Sequence, residues 1–203
     1  MITIVDYGLG NIAAFLNMYK RLNIAAAPAT TAQELAGAQK IVLPGVGAFD
    51  AAMDLLEASG MRETLDRKVL EDRTPVVGIC VGMQMLTDGS DEGERAGLGW
   101  IAGRTRAFAG TPAAALPLPH MGWNDVTPGA GRQLFAGLDE TPRFYFLHSF
   151  FVEPADPAHV AATSEYGAPF ACAIHRDNVW GVQFHPEKSH HFGAAVLRSF
   201  AEL

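Results

Sequence analysis

The chain has 203 residues, 49% of them hydrophobic, and 15 Lys and Arg against 22 Asp and Glu give it a formal net charge of −7. Its length and apolar content suit one large domain, residues 1–203, with a sizeable core, and exclude a disordered chain; the acidic balance and the absence of a basic stripe argue against a nucleic-acid partner. Two cysteines, Cys80 and Cys172, make no disulfide framework, no apolar run nears the roughly 20 residues of a membrane span, and the Met1–Val5 start lacks the basic region of a secretory signal, so a cytoplasmic protein is expected.

In chain order, Ile2 to Asp6 reads as a strand and Asn11 to Leu22 as a helix. Gly8-Leu9-Gly10-Asn11-Ile12-Ala13 between them fits the dinucleotide fingerprint, but Asn23 to Pro28 carries no acidic residue to hold a ribose, which disfavours nucleotide binding. Strand Ile24–Ala27, helix Ala32–Ala36, strand Ile41–Leu43, helices Phe49–Ser59 and Met61–Leu70 and strand Pro75–Ile79 follow. This alternation predicts an α/β fold, a mostly parallel open sheet with helices on both faces. The second half changes character. Gly99–Phe108, Leu118–Val126, Arg143–Val152, His159–Ser164, Phe170–His175 and Val179–Phe184 read as strands, partly antiparallel, and His190–Ala201 as a closing helix. Ala109 to Ala115 is expected to be an exposed loop, Ser90 to Arg95 a charged turn without assigned function, and Cys172 a core residue.

Three segments carry chemistry. Gly78-Ile79-Cys80-Val81-Gly82 lies where a buried strand meets a helix, the pattern of a nucleophile elbow. Glycines on both sides permit a turn too tight for a Cβ, and the helix N-terminus favours a thiolate. A thiol nucleophile needs a base, and the base needs an orienting group. His185 and Glu187 supply an imidazole and a carboxylate, held in relation by Pro186. Pro44-Gly45-Val46-Gly47 after a neighbouring strand offers backbone amides for an oxyanion, together with the amide of Val81. Each segment alone has a plainer reading: an inert buried cysteine, a solvated strand end, an ordinary glycine turn. His185, His190 and His191 with Glu187 match no metal-site spacing, so no metal is expected.

Six blocks together resemble a known family. Gly78 to Gln84 and Phe184-His185-Pro186-Glu187-Lys188-Ser189 look like the two signature blocks of class I glutamine amidotransferases. Val5 to Asn11, Pro44 to Phe49, Pro119-His120-Met121-Gly122-Trp123-Asn124 and Tyr145 to Phe150 are similar to the glutaminase subunits of imidazole glycerol phosphate synthase. The resemblance implies a flavodoxin-like amidotransferase fold and hydrolysis of L-glutamine through a cysteinyl thioester, with Cys80 as nucleophile, His185 as acid and base, and Glu187 orienting it. It implies an oxyanion hole from Val46, Gly47 and Val81, and a glutamine pocket from Gly45, Gln84, His148, Ser149 and Phe150. No cofactor is implied. The partner would be a (β/α)8-barrel cyclase in a heterodimer, met through Tyr7, Asn11, Met121 and Trp123. Val81 stands where leucine is common in the family, and Phe150 where tyrosine is frequent. A different cysteine hydrolase, such as a peptidase, and a non-catalytic interaction subunit are the competing readings.

Overall fold

A computed structural model describes residues 1–129, 132–138 and 141–203. The first half runs β1 (Ile2–Val5), α1 (Ile12–Arg21), β2 (Ala26–Ala29), α2 (Ala32–Ala36), β3 (Lys40–Gly45), α3 (Phe49–Ala58), α4 (Arg62–Asp66), β4 (Val76–Cys80) and α5 (Val81–Met85). The second runs β5 (Gly103–Ala107), β6 (His120–Asp125), β7 (Thr127–Pro128), β8 (Arg143–His148), β9 (Phe150–Pro154), β10 (Val160–Glu165), β11 (Pro169–Arg176), β12 (Val179–Val182) and α6 (His190–Glu202).

Ten strands form one sheet in the order β2-β1-β3-β4-β12-β11-β10-β7, with β9 beside β11 and β5 beside β9. From β2 to β12 every pairing is parallel, and from β12 outward every pairing is antiparallel. The alternating first half thus builds the parallel region, as its sequence predicts, and the last strand of the chain inserts beside β4. β1, β4 and β12 are buried along their whole length, so both faces of the parallel region are covered there. The chain steps outward from β1 to β2 and then back across β1 to β3. Right-handed crossovers in opposite directions put α1 and α2 on opposite faces of the sheet. α1 packs near α6, and α2 near α4. Local chemistry fixes the helix starts: the Asn11 side chain caps α1 by accepting from the Ala14 amide, and Thr31 and Glu34 form a capping box on α2.

Three expectations need correction. Arg143–Val152 is not one strand. It breaks at Ser149, β8 pairing with β6 in a separate two-stranded ribbon while β9 joins β5 and β11 in the main sheet. One apolar stretch therefore serves two sheets, a switch that side-chain alternation cannot reveal. The expected helix Met61–Leu70 is α4 continued by a π-helical turn, Arg67–Glu71. Finally, Ala109–Ala115 is not simply an exposed loop: a 3-10 turn at Pro112–Ala115 buries Ala113 completely, and Gly167 approaches its backbone closely.

The elbow between β4 and α5 brings three backbone segments into close approach. A Cβ on Gly82 would lie 2.0 Å from the Leu43 carbonyl oxygen, one on Gly45 would lie 2.4 Å from the Gly82 nitrogen, and one on Gly78 would lie 2.5 Å from the Gly82 oxygen. All three obstacles are backbone, so no side chain can step aside. Gly82→Ala is expected to lower the unfolding free energy by about 3 kcal/mol, the upper end of overpacking costs, as measured by urea denaturation; wild-type stability would contradict the close approach.

Candidate active site

Cys80 ends β4 with φ 56° and ψ −113°, a conformation that costs a non-glycine residue free energy unless its surroundings impose it. The sheet imposes it: Gly45 pairs with Cys80 across β3, and α5 starts at the next residue. The sulfur lies at the C-terminal edge of the parallel strands, where ligands bind in open α/β sheets. β12 runs parallel to β4 in the adjacent position, and the chain leaving it reaches His185.

His185 and Glu187 form a buried pair. Their side chains are 5% and 3% exposed, and His185 Nδ1 lies 2.8 Å from Glu187 Oε1. A short turn, Pro186–Lys188, sets this geometry. The Ser189 hydroxyl donates to the His185 carbonyl at 2.6 Å and accepts from the Tyr145 amide at 3.0 Å, tying the turn to β8. Among the described residues Glu187 Oε2 is buried without a hydrogen-bond partner, and the His185 imidazole is the polar contact of the other oxygen. With Nδ1 occupied by Glu187, Nε2 is the ring nitrogen left for the interaction with Cys80. Burial pulls the His185 pKa down, but hydrogen bonds and charge interactions with Cys80 and Glu187 outweigh it and raise the value to about 9.

Cys80 and His185 open onto a cavity of about 300 Å³, the lower end of small-molecule sites. Val46, Gly47, Val81, Gln84, His148, Ser149 and Phe150 line it too, so most of the residues singled out in the sequence share one space. Gly45 does not line it: as shown above, it sits under the α5 backbone, where the approach leaves no room for a side chain. Glu92, Pro119, Leu147 and Lys188 line the cavity without having been anticipated. The signal for Glu92 is invisible locally, because its carboxylate accepts from the Phe49 amide at 2.8 Å and so caps α3 from 43 positions away. Asp50 in turn accepts from the amides of Glu94 and Arg95, which gives the Ser90–Arg95 turn a structural purpose.

His148 belongs to a buried polar chain with a readable tautomer pattern. The Phe150 carbonyl, which can only accept, lies 2.7 Å from His148 Nδ1, so that nitrogen carries the proton. His148 Nε2 is then bare and accepts from His120 Nδ1 at 2.9 Å. His120 Nε2 accepts from the Asn124 amide at 3.2 Å, and the same amide donates to the Glu165 carbonyl at 2.8 Å. Both rings are thereby neutral. Burial drives the same result, lowering His120 to about 4 and His148 to about 3. The contacts of Phe150 with His148 and Gln84 are made by its backbone carbonyl.

The four residues singled out for a partner surface divide. Tyr7 is not on the surface. It is 4% exposed, and its hydroxyl donates to the Pro44 carbonyl at 2.8 Å beneath the elbow; burial and the nearby Cys80 raise its pKa. Asn11 is exposed and caps α1. Met121 and Trp123 stand out at 65% and 40% exposure on β6. Trp123 stacks on His190 at 5.2 Å. Across the ribbon Met121 pairs with Leu147, also exposed, whose backbone borders the cavity. Val46, also exposed, lines the cavity with Leu147.

Comparison with known proteins agrees with this arrangement. The family profile described as glutamine amidotransferase class-I matches residues 3–202. The chain belongs to the class I glutamine amidotransferases. Its sequence relatives are narrower in kind: it is 58% identical to the imidazole glycerol phosphate synthase subunit HisH of Bdellovibrio bacteriovorus and 48% identical to that of Leptospira interrogans, over the full length of each chain. A crystal structure of a glutamine amidotransferase superposes with a TM-score of 0.77 at 18% identity, covering 99% of this chain and 97% of the other. The glutaminase domain of Trypanosoma brucei CTPS gives 0.66 at 14% identity, covering 99% and 93%. At such identities these two establish the shared fold.

The histidines bracket stability on the pH axis. His120 and His148 have depressed values, so the unfolded chain binds protons below pH 6.5 that the native state refuses; stability falls from there toward pH 4, by up to about 1.4 kcal/mol per unit for each ring. His185 has a raised value, so its contribution is complete below pH 6.5 and is lost as pH rises through about 9. Urea denaturation across this range is expected to give a maximum near pH 6.5, with a shallower acid limb in His120→Asn; an unchanged acid limb in that variant would show that the ring is charged in the native state.

Proposed function

We propose that Cys80 hydrolyses the carboxamide of L-glutamine, with His185 as acid and base and Glu187 as its orienting group. The observation that carries this reading is the convergence of a cysteine strained at an elbow and a buried His–Glu pair on one cavity. The sulfur attacks the amide carbon and an oxyanion forms. The amide of Val81, at the start of α5, and the backbone of Val46 and Gly47 at the cavity wall supply its donors. His185 delivers a proton to the departing nitrogen, which leaves as ammonia, and a thioester to Cys80 remains. Water, deprotonated by His185, attacks the thioester and releases glutamate. Gln84, His148, Ser149 and Phe150 shape the pocket.

The names of the relatives support a second component, a subunit of imidazole glycerol phosphate synthase. In this reading a (β/α)8-barrel cyclase binds as a heterodimer on the face of Asn11, Met121 and Trp123, covers the exposed apolar rim and receives the ammonia. It incorporates the nitrogen in making imidazole glycerol phosphate and an aminoimidazole carboxamide ribotide, a step of histidine biosynthesis in the cytoplasm. The exposed Trp123, Met121 and Leu147 beside the cavity mouth are what such a cover would bury.

Cys80→Ser is expected to reduce glutamine-dependent synthesis in the complex below about 0.1% of wild type, while synthesis from free ammonia persists. Cleavage of peptides in place of glutamine would point to a different hydrolase, and absence of glutamate release under all conditions to a non-catalytic subunit. Trp123→Ala is expected to weaken cyclase binding by about 2 kcal/mol, roughly 30-fold, by calorimetric titration; unchanged affinity would move the interface elsewhere.

A further inference from the structure

We propose that Gln183 is a positioning residue that donates its side-chain amide to the sulfur of Cys80 and so favours the thiolate. Gln183 follows β12, is completely buried, and places Nε2 3.6 Å from Cys80 Sγ. Nothing in the elbow motif or in the His-Pro-Glu turn requires an amide there.

The direction of that amide is fixed by a chain of contacts that ends on an unambiguous group. The Phe150 carbonyl can only accept, and its position is held by the 2.7 Å bond from His148 Nδ1. Gln84 therefore turns Nε2, not its oxygen, toward that carbonyl, at 3.5 Å. The same Nε2 lies 3.1 Å from Gln183 Oε1. Gln183 is thus committed to offering its oxygen to Gln84, which leaves its N–H pair facing the sulfur. Flipping either amide would set nitrogen against nitrogen or oxygen against a carbonyl, at two side chains that are buried.

An N–H aimed at sulfur distinguishes the two forms of the thiol. Neutral sulfur is a weak acceptor, whereas a bond to the thiolate is charge-assisted. A hydrogen bond that strengthens in the charged form favours it. The opposing contact is the Leu147 carbonyl, 3.9 Å from the sulfur, which can receive the S–H of the neutral form. The other ionisable groups facing Cys80 are His185, with Glu187 behind it, Tyr7 below, and His148, Lys188 and Glu92 on the cavity wall. Gln183 differs from all of them in being uncharged at every pH, so it adds no titration of its own to the profile.

This inference rests on Cys80 being the nucleophile, but its test reads the thiol itself and not turnover. Gln183→Met keeps length and burial and removes the donor. Its rate of Cys80 alkylation by iodoacetamide at pH 7 is expected to fall about tenfold, with the pH profile displaced upward and the circular dichroism unchanged. An unchanged profile in the folded variant overturns the proposal. If that variant does not fold, the native protein decides: the side-chain amide resonance of Gln183 should follow the titration of the thiol and lose that dependence in Cys80→Ala. A resonance that ignores the thiol overturns the proposal equally. Failure of Cys80 as nucleophile would appear separately, as glutamine turnover that survives Cys80→Ser.

Discussion

Everything at the site depends on how closely three backbone segments approach one another. Gly45 on β3, Gly78 on β4 and Gly82 in α5 let main chain lie against main chain with no room for a methyl group. That contact holds Cys80 at φ 56°, lifts its side chain off the sheet, and leaves the Val81 amide at the start of a helix. Tyr7 secures the arrangement from below through the Pro44 carbonyl. The strain at one residue is thus distributed over β4, buried along its full length, and β3, buried from Ile41 to Gly45, which have little freedom to relax.

Within one small cavity the protein keeps histidines in opposite states. His185 is supported as imidazolium by a buried carboxylate and by Cys80, whereas His148 has only neutral partners and stays uncharged. The contrast arises from neighbours rather than depth, since both rings are almost completely buried. A charged His148 would add a further cation to a cavity that Lys188 already lines, and would compete for the Glu187 carboxylate and for substrate charge. The His120–His148–Phe150 chain avoids this while still satisfying every polar atom in it.

The parts of this architecture written in contiguous residues were legible beforehand. Glycines two positions either side of Cys80 announced the elbow, and Pro186 between His185 and Glu187 announced a fixed pair. Alternating strands and helices announced the parallel region. Features that depend on distant partners were not legible. Gln183 meets Cys80 across 103 positions and Gln84 across 99; inside a strand ending it reads as an unremarkable polar residue. Tyr7 sits in a glycine-rich loop that reads as surface, yet its ring is drawn under Pro44. The break at Ser149 was hidden because both halves of the stretch are good strands, and only the pairing of each with different neighbours separates them.

That break has a further meaning at Leu147, two residues before it. The side chain of Leu147 faces outward beside Met121, while its carbonyl faces the sulfur of Cys80. The barrier between the outer apolar surface and the reacting atom is therefore a single peptide unit thick. Pressure on the outside of the ribbon reaches the thiol without any relay, and a graft or loop exchange that shifts the ribbon by one register would turn that carbonyl away and put a side chain in its place.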